Sequence, residues 1–167
     1  PKDGDQANNW AGRSLEWLRQ ESDRGCMYAR AFLGYFLDFG IGLSQKNETE
    51  AAKLYRLAAD QGYATAQYNL GVCYANGTGV TKDEREAVRW YRLAADQGDA
   101  DAQFNVGVCY ANGSGLTKDE REAVRWYRLA ADQGNSSAQS NLGVCYEYGT
   151  GVTKDEREAV RWYRLAA

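Results

Sequence analysis

The sequence contains no histidine, which removes the commonest general base and the mixed His and Cys ligand sets of zinc sites. No apolar run approaches the roughly 20 residues that a membrane span needs. The opening stretch PKDGDQANN lacks the charged-then-apolar pattern of a secretory signal. Net charge is −3 over 167 residues, so bulk electrostatics makes no case for nucleic acid as a partner. At 44% hydrophobic and 26% charged, the composition is that of a folded chain rather than a disordered one. No Gly-rich phosphate loop follows a strand, and the only carboxylates drawn together are surface Asp and Glu at helix starts. No catalytic constellation emerges, and neither an enzyme nor a cofactor or metal site is expected.

Of the four cysteines, Cys73, Cys109 and Cys145 recur at one spacing. If they sit on helices packed side by side, about 8–10 Å apart, they lie beyond the ~7 Å Cα limit of a disulfide and cannot converge on one zinc ion. They read as small buried apolar groups. Unpaired thiols point to a reducing compartment. The sequons at Asn47, Asn76, Asn112 and Asn135 matter only in an exported chain, and duplication accounts for the two that are repeat-turn residues.

What is present is repetition. QGYATAQYNLGVCYANGTGVTKDEREAVRWYRLAAD, from Gln61 to Asp96, recurs almost letter for letter from Gln97 and again from Gln133, at a step of 36 residues. In each copy Ala66, Leu70, Cys73, Tyr74 and Gly77, or their equivalents, fall on one face of a helix A. A Gly-x-Gly turn follows. Asp83 and Glu86 then form a capping-box-like start for a helix B that buries Ala87, Trp90, Tyr91, Ala94 and Ala95. From Gly25 to Asp60 runs a divergent first repeat with one extra residue between Gly42 and Ala51, in the approach to its helix B. Ahead of it, PKDGDQANNW matches TKDEREAVRW, then seven extra residues lengthen the helix to about Gly4–Glu21. Its stripe Ala7, Trp10, Ser14, Trp17 and Leu18 is expected to cover the end of the array, with Gly12 as a weak point. The boundaries read as a capping helix over 1–22 and repeats over about 23–60, 61–96, 97–132 and 133–167. A chain that starts without Met and stops inside a repeat is read as part of a longer array, flanked by further repeats or domains.

The pattern A-x3-L-G-x2-Y-x2-G-x-G-V-x2-D-x3-A-x2-W-Y-x2-A-A-x2-G, carried by Ala66, Leu70, Gly71, Tyr74, Gly77, Gly79, Val80, Asp83, Ala87, Trp90, Tyr91, Ala94, Ala95 and Gly98, resembles the Sel-1-like repeat family, relatives of tetratricopeptide repeats. The resemblance implies an all-α, right-handed superhelix of stacked helix pairs. It also implies a concave face lined by helix A and used for contact with proteins in adaptor, export and signalling assemblies. A disulfide-bridged branch of the family, for which penicillin binding is reported, pairs a helix A Cys with one near the end of helix B. Here that second position is Ala95, Ala131 or Ala167, which argues against the branch.

At roughly 100° per residue, positions 65, 68, 72, 75 and 76 face away from the buried stripe of helix A. They read Tyr28, Ala31, Tyr35, Asp38 and Phe39 in the first repeat and Thr65, Tyr68, Val72, Ala75 and Asn76 in the second. The third has Asp101, Phe104, Val108, Ala111 and Asn112, and the fourth Ser137, Ser140, Val144, Glu147 and Tyr148. Rigid aromatics at such places suit a peptide groove, and drift or packing between helices is the bland alternative. Asn69, Asn105 and Asn141, at the groove's edge, either clamp a ligand backbone or bond the preceding repeat's link. Arg85, Arg89 and Arg92, with their copies, read as a solvated outer face of helix B.

The expectation is therefore a non-enzymatic protein-interaction module that takes a partner's segment on the concave helix A face, without nucleic acid, cofactor or membrane insertion. The alternatives are an assembly spacer touching neighbours by its ends or convex face, and a designed array without a natural ligand. One helix pair cannot bury enough apolar surface to fold alone, so stacking is obligatory, and Trp90, Trp126 and Trp162 are the expected fillers. Trp126→Ala should cost about 3–5 kcal/mol; an unmoved thermal midpoint would sink this packing scheme.

Overall fold

The computed structural model describes residues 3–42 and 45–167, with side chains from residue 13 onward. Among the described residues there are nine helices and no strand. They form two compact units, Pro1–Lys82 and Asp83–Ala167. The first holds α1 (Asp3–Asp23), α2 (Met27–Phe39), α3 (Glu48–Ala59) and α4 (Ala64–Asn76). The second holds α5 (Glu84–Ala95), α6 (Ala100–Asn112), α7 (Glu120–Asp132), α8 (Ser136–Tyr148) and α9 (Glu156–Ala166). Within each unit every helix packs on the next in sequence, as an array of helix pairs requires.

Local chemistry sets the helix ends. Asp83, Asp119 and Asp155 cap α5, α7 and α9, each accepting from the N–H groups two and three residues on, and Asn47 caps α3 by accepting from the Glu50 N–H three residues on. Glu86, expected to close a capping box, turns its carboxylate to the Trp90 indole N–H at 3.2 Å and to Arg89 at 3.4 Å. Helix α1 runs unbroken through Gly12, but its packing stripe differs from the expected one. Leu15, Leu18 and Ser22 are buried, whereas Ser14 is exposed and Trp17 is 59% exposed. Spacings of three and four residues place Leu15, Leu18 and Ser22 on one side of the helix. Trp17, one residue before Leu18, is turned off it. The side chains of Ala7 and Trp10 lie outside the described residues, as do residues 43 and 44 within the lengthened approach to α3.

Packing within a pair depends on a glycine in helix A. A Cβ at Gly107 would lie 2.6 Å from the Tyr127 ring, one at Gly143 2.6 Å from Tyr163, and one at Gly34 2.9 Å from Tyr55. Contact between successive repeats depends on the second glycine of the Gly-x-Gly turn. A Cβ at Gly115 would meet the Glu84 carbonyl oxygen at 2.2 Å, and Gly79 and Gly151 stand equally close to Glu48 and Glu120. Polar rungs accompany these contacts. Gln67, Gln103 and Gln139 are buried and donate to the carbonyls of Ala59, Ala95 and Ala131 at 3.1–3.2 Å. Arg30 Nε makes the same eight-residue link to the Ser22 carbonyl. Trp90 and Trp162 are buried, while Trp126 is half-buried, which puts the Trp126→Ala loss at the low end of its range.

Gly98 and Gly115 both have positive φ, +92° and +72°, yet a Cβ at Gly98 has nothing within 4 Å. Gly98→Ala is expected to cost about 1–2 kcal/mol through backbone strain alone. Gly115→Ala should cost about 3–5 kcal/mol, because overpacking is added to the strain. Urea midpoints at constant m-value measure the difference, and equal losses would show that the close approach is dispensable.

Candidate functional site

In the first unit three of the five expected outward positions, Tyr28, Tyr35 and Phe39, are exposed, Asp38 is half-buried, and Phe32 joins the exposed row. Tyr28, Phe32, Tyr35 and Phe39 follow one another along α2 at helical spacing and are all exposed, Phe32 at 52%. Tyr28 stands edge-on to Tyr63 at 5.1 Å, and the Tyr35 and Phe39 rings lie 4.6 Å apart. Trp17 and Leu18 of α1 form an open hollow with Phe32 and Phe36. A second, smaller hollow on the α4 side is bordered by Ala31, Phe32, Tyr35, Tyr63, Thr65 and Asn69. Thr65 is exposed and Tyr68 half-buried. Ala31, expected to face outward, is buried. Helix A is flanked by its own helix B and by the preceding helix, so its buried arc is wider than one stripe.

In the second unit the candidate positions divide. Tyr148 is 71% exposed and Val144 is exposed. Phe104 is half-buried, its ring 5.8 Å from that of Tyr127, and it packs with Val108 and Ala111 against the core. Asp101 is exposed and accepts from Asn135 at 2.8 Å. Ser140 and Asn105 are half-buried. Glu147 accepts from the Tyr163 hydroxyl at 2.6 Å, so it belongs to the frame of its own pair.

Among the described residues, the asparagine edge is not bonded to the preceding repeat's link as expected. Asn141 stands beside the Tyr127 side chain of the preceding helix B, while the link carbonyls go to Gln67, Gln103 and Gln139. Those glutamines were missed. Their signal was an unvarying polar residue beside Ala66, Ala102 and Ala138 on the apolar face. The arginine row also divides. Arg89, Arg125 and Arg161 pair with Glu86, Glu122 and Glu158 three residues earlier on an exposed face, as expected of a solvated surface. Arg92 and Arg128 instead bond the hydroxyls of Tyr110 and Tyr146 on the following helix A, and Arg56 bonds Tyr74 likewise. Phe32 was not among the candidates, although it stands where the later repeats have Asn69, Asn105 and Asn141.

Helix pairs of one length, joined by recurrent Gly–Tyr, Gly–carbonyl and Gln–carbonyl contacts, define an all-α repeat protein. The Sel1 repeat family model matches residues 28–63, 64–99, 100–135 and 136–167, and the chain belongs to that family. It is similar to c5321, a protective antigen present in uropathogenic Escherichia coli strains and displaying an SLR fold. That match has 44% identity and a TM-score of 0.87, over 91% of this chain and 32% of that one. A Sel1 repeat protein from Oxalobacter formigenes matches at 36% identity and a TM-score of 0.81, over 93% of this chain and 66% of that one. Among curated proteins, the ERAD-associated E3 ubiquitin-protein ligase component HRD3B of Arabidopsis thaliana is 37% identical over 42% of this chain. The chain spans only 10% of that relative's length. Sel1 repeats are in general non-catalytic scaffolds for protein interaction.

All four cysteines are unpaired. Burial pushes the Cys73 thiol from the ordinary 9.0 up to about 12, with the Asp38 and Glu48 carboxylates adding to the effect. Burial likewise raises Cys109 to about 11. Unfolded thiols ionise near 9.0 and these folded ones two to three units higher, so proton retention favours the fold. That contribution is full below about pH 9 and is lost as pH rises through the folded values. The urea midpoint should fall as pH rises above about 9 toward the folded values, and Cys73→Ala should reduce the drop. A flat profile would overturn this account.

Proposed function

We propose that this chain is a non-enzymatic interaction module and that exposed and half-buried helix A residues receive a segment of a partner protein. In the first unit these are Tyr28, Phe32, Tyr35 and Phe39 with Thr65, Tyr68 and Asn69. In the second they are Asp101, Asn105, Ser140 and Tyr148, together with the accessible parts of Phe104, Asn141 and Glu147. The observation that carries the reading is the row of four exposed rings on α2. Contiguous exposed apolar surface marks interaction sites, and aromatic rings anchor them with small loss of side-chain entropy.

A second reading has its own observation. Leu57, Leu93, Leu129 and Leu165 occupy one position of each helix B and are all exposed, which suits a spacer that meets neighbouring proteins through its helix B faces. Segments selected from a displayed random-peptide library against the whole chain separate the two. The double variant Tyr35→Ala with Phe39→Ala should keep its thermal midpoint and lose at least about tenfold in affinity, since such anchors are each worth more than 1 kcal/mol. Unchanged affinity, coupled with sensitivity to Leu93→Asp, would favour the spacer.

A further inference from the structure

The small hollow between α2 and α4 has a volume of about 150 Å³ and is walled by Ala31, Phe32, Tyr35, Tyr63, Thr65 and Asn69. An apolar cavity of about 150 Å³ is large enough to take a benzene ring. One wall residue, Ala31, is the smallest at its place in the four repeats. The place held by Ala31 is held by Tyr68, Phe104 and Ser140 in the later repeats, and in the third the Phe104 ring packs against the core beside Tyr127. Where that repeat supplies its own ring, the first supplies a methyl group.

Asn69 differs from its equivalent in a matching way. Burial raises the pKa of the Tyr127 hydroxyl, and Asn141 stands beside that hydroxyl and acts against the rise. The tyrosine that stands in the same relation to Asn69 is Tyr55, which is 1% exposed and whose hydroxyl has no hydrogen-bond partner among the described residues. Asn69 borders the hollow, where a side-chain amide can both donate to and accept from a peptide group.

We propose that this hollow is a socket for an aromatic side chain, of the size of Phe, carried on a partner protein's segment whose backbone is held by Asn69. The incoming ring does for the first repeat what Phe104 does for the third. This assignment rests on α2 being the binding face, and it adds the chemistry of the occupant.

The test is an NMR titration of the whole chain with acetyl-Gly-Phe-Gly-amide, with acetyl-Gly-Ala-Gly-amide as control. Saturable shifts are expected at the Ala31 methyl and the Asn69 side-chain amide for the Phe peptide alone, with a dissociation constant on the order of 1 mM. Ala31→Phe fills the socket from within and should abolish the shifts at the Asn69 side-chain amide without lowering the thermal midpoint. Asn69→Ala, which keeps the aromatic walls, should weaken binding by up to about tenfold, the worth of one hydrogen bond, read at the Ala31 methyl. Non-saturating shifts, equal shifts with the Ala peptide, or shifts that persist in Ala31→Phe would overturn the socket. Library-selected segments that need Tyr35 and Phe39 but bind Ala31→Phe equally well would remove the socket and leave the interaction surface standing. Selected segments indifferent to Tyr35 and Phe39 would remove that surface instead.

Discussion

The Tyr127 ring lies where the Cβ of any residue but glycine at position 107 would have to go, and the rest of each helix pair follows from that contact. A ring seated against bare backbone brings helix A and helix B closer than two ordinary side chains allow, as small residues do wherever helices approach closely. Alanines then suffice to fill the seam, and Ala102, Ala123 and Ala130 are buried completely or nearly so. The second close approach, Gly115 on the Glu84 carbonyl, sets one repeat against the next. Both contacts are steric and leave no room for adjustment, which explains why the frame residues recur unchanged.

Such tight seams leave helix-end carbonyls without water, and the buried glutamines answer that need. Each donates to the last turn of the preceding helix, so the amide's desolvation is offset by a bond that would otherwise go unmade. Arg30 makes the same link from the first repeat with a longer side chain, which shows that the constraint is on the donor rather than on the residue type. On the outside, Arg92 and Arg128 reach the tyrosines of the following helix A. These pairs join successive repeats where steric contact ends.

Periodicity made the helices legible because Ala66, Leu70 and Cys73 mark one face unambiguously, and the Asp caps and Gly turns bracket each element. Direction around the helix was harder to read. A rotation of 100° per residue treats helix A as having one buried side, whereas it has two neighbours, so Ala31 and Phe104 turned inward against expectation. The extended helix α1 was misjudged for a related reason. Tryptophan looks like a core residue by size, but Leu15 and Leu18 hold the buried side and Trp17 is left facing outward. Glu147 could not be assigned from its variability, since the Tyr163 hydroxyl that it accepts from is sixteen residues away and only the fold brings them together.

The divergence of the first repeat supports the proposed partner surface. A chain under pressure only for stability has no reason to expose Tyr28, Phe32, Tyr35 and Phe39 in one row, because exposed apolar rings invite aggregation and add nothing to the core. The equivalent places in the second repeat are Thr65, Asn69, Val72 and Asn76, which carry little apolar surface and keep the same helix ends and the same turn. The frame does not require the rings, and one position before Phe32 the ring that the third repeat packs inward is replaced by Ala31. Rings are therefore added on the outside of α2 and withheld beside the hollow. Both changes increase the apolar surface available to an incoming side chain, a combination that drift at solvent positions does not account for.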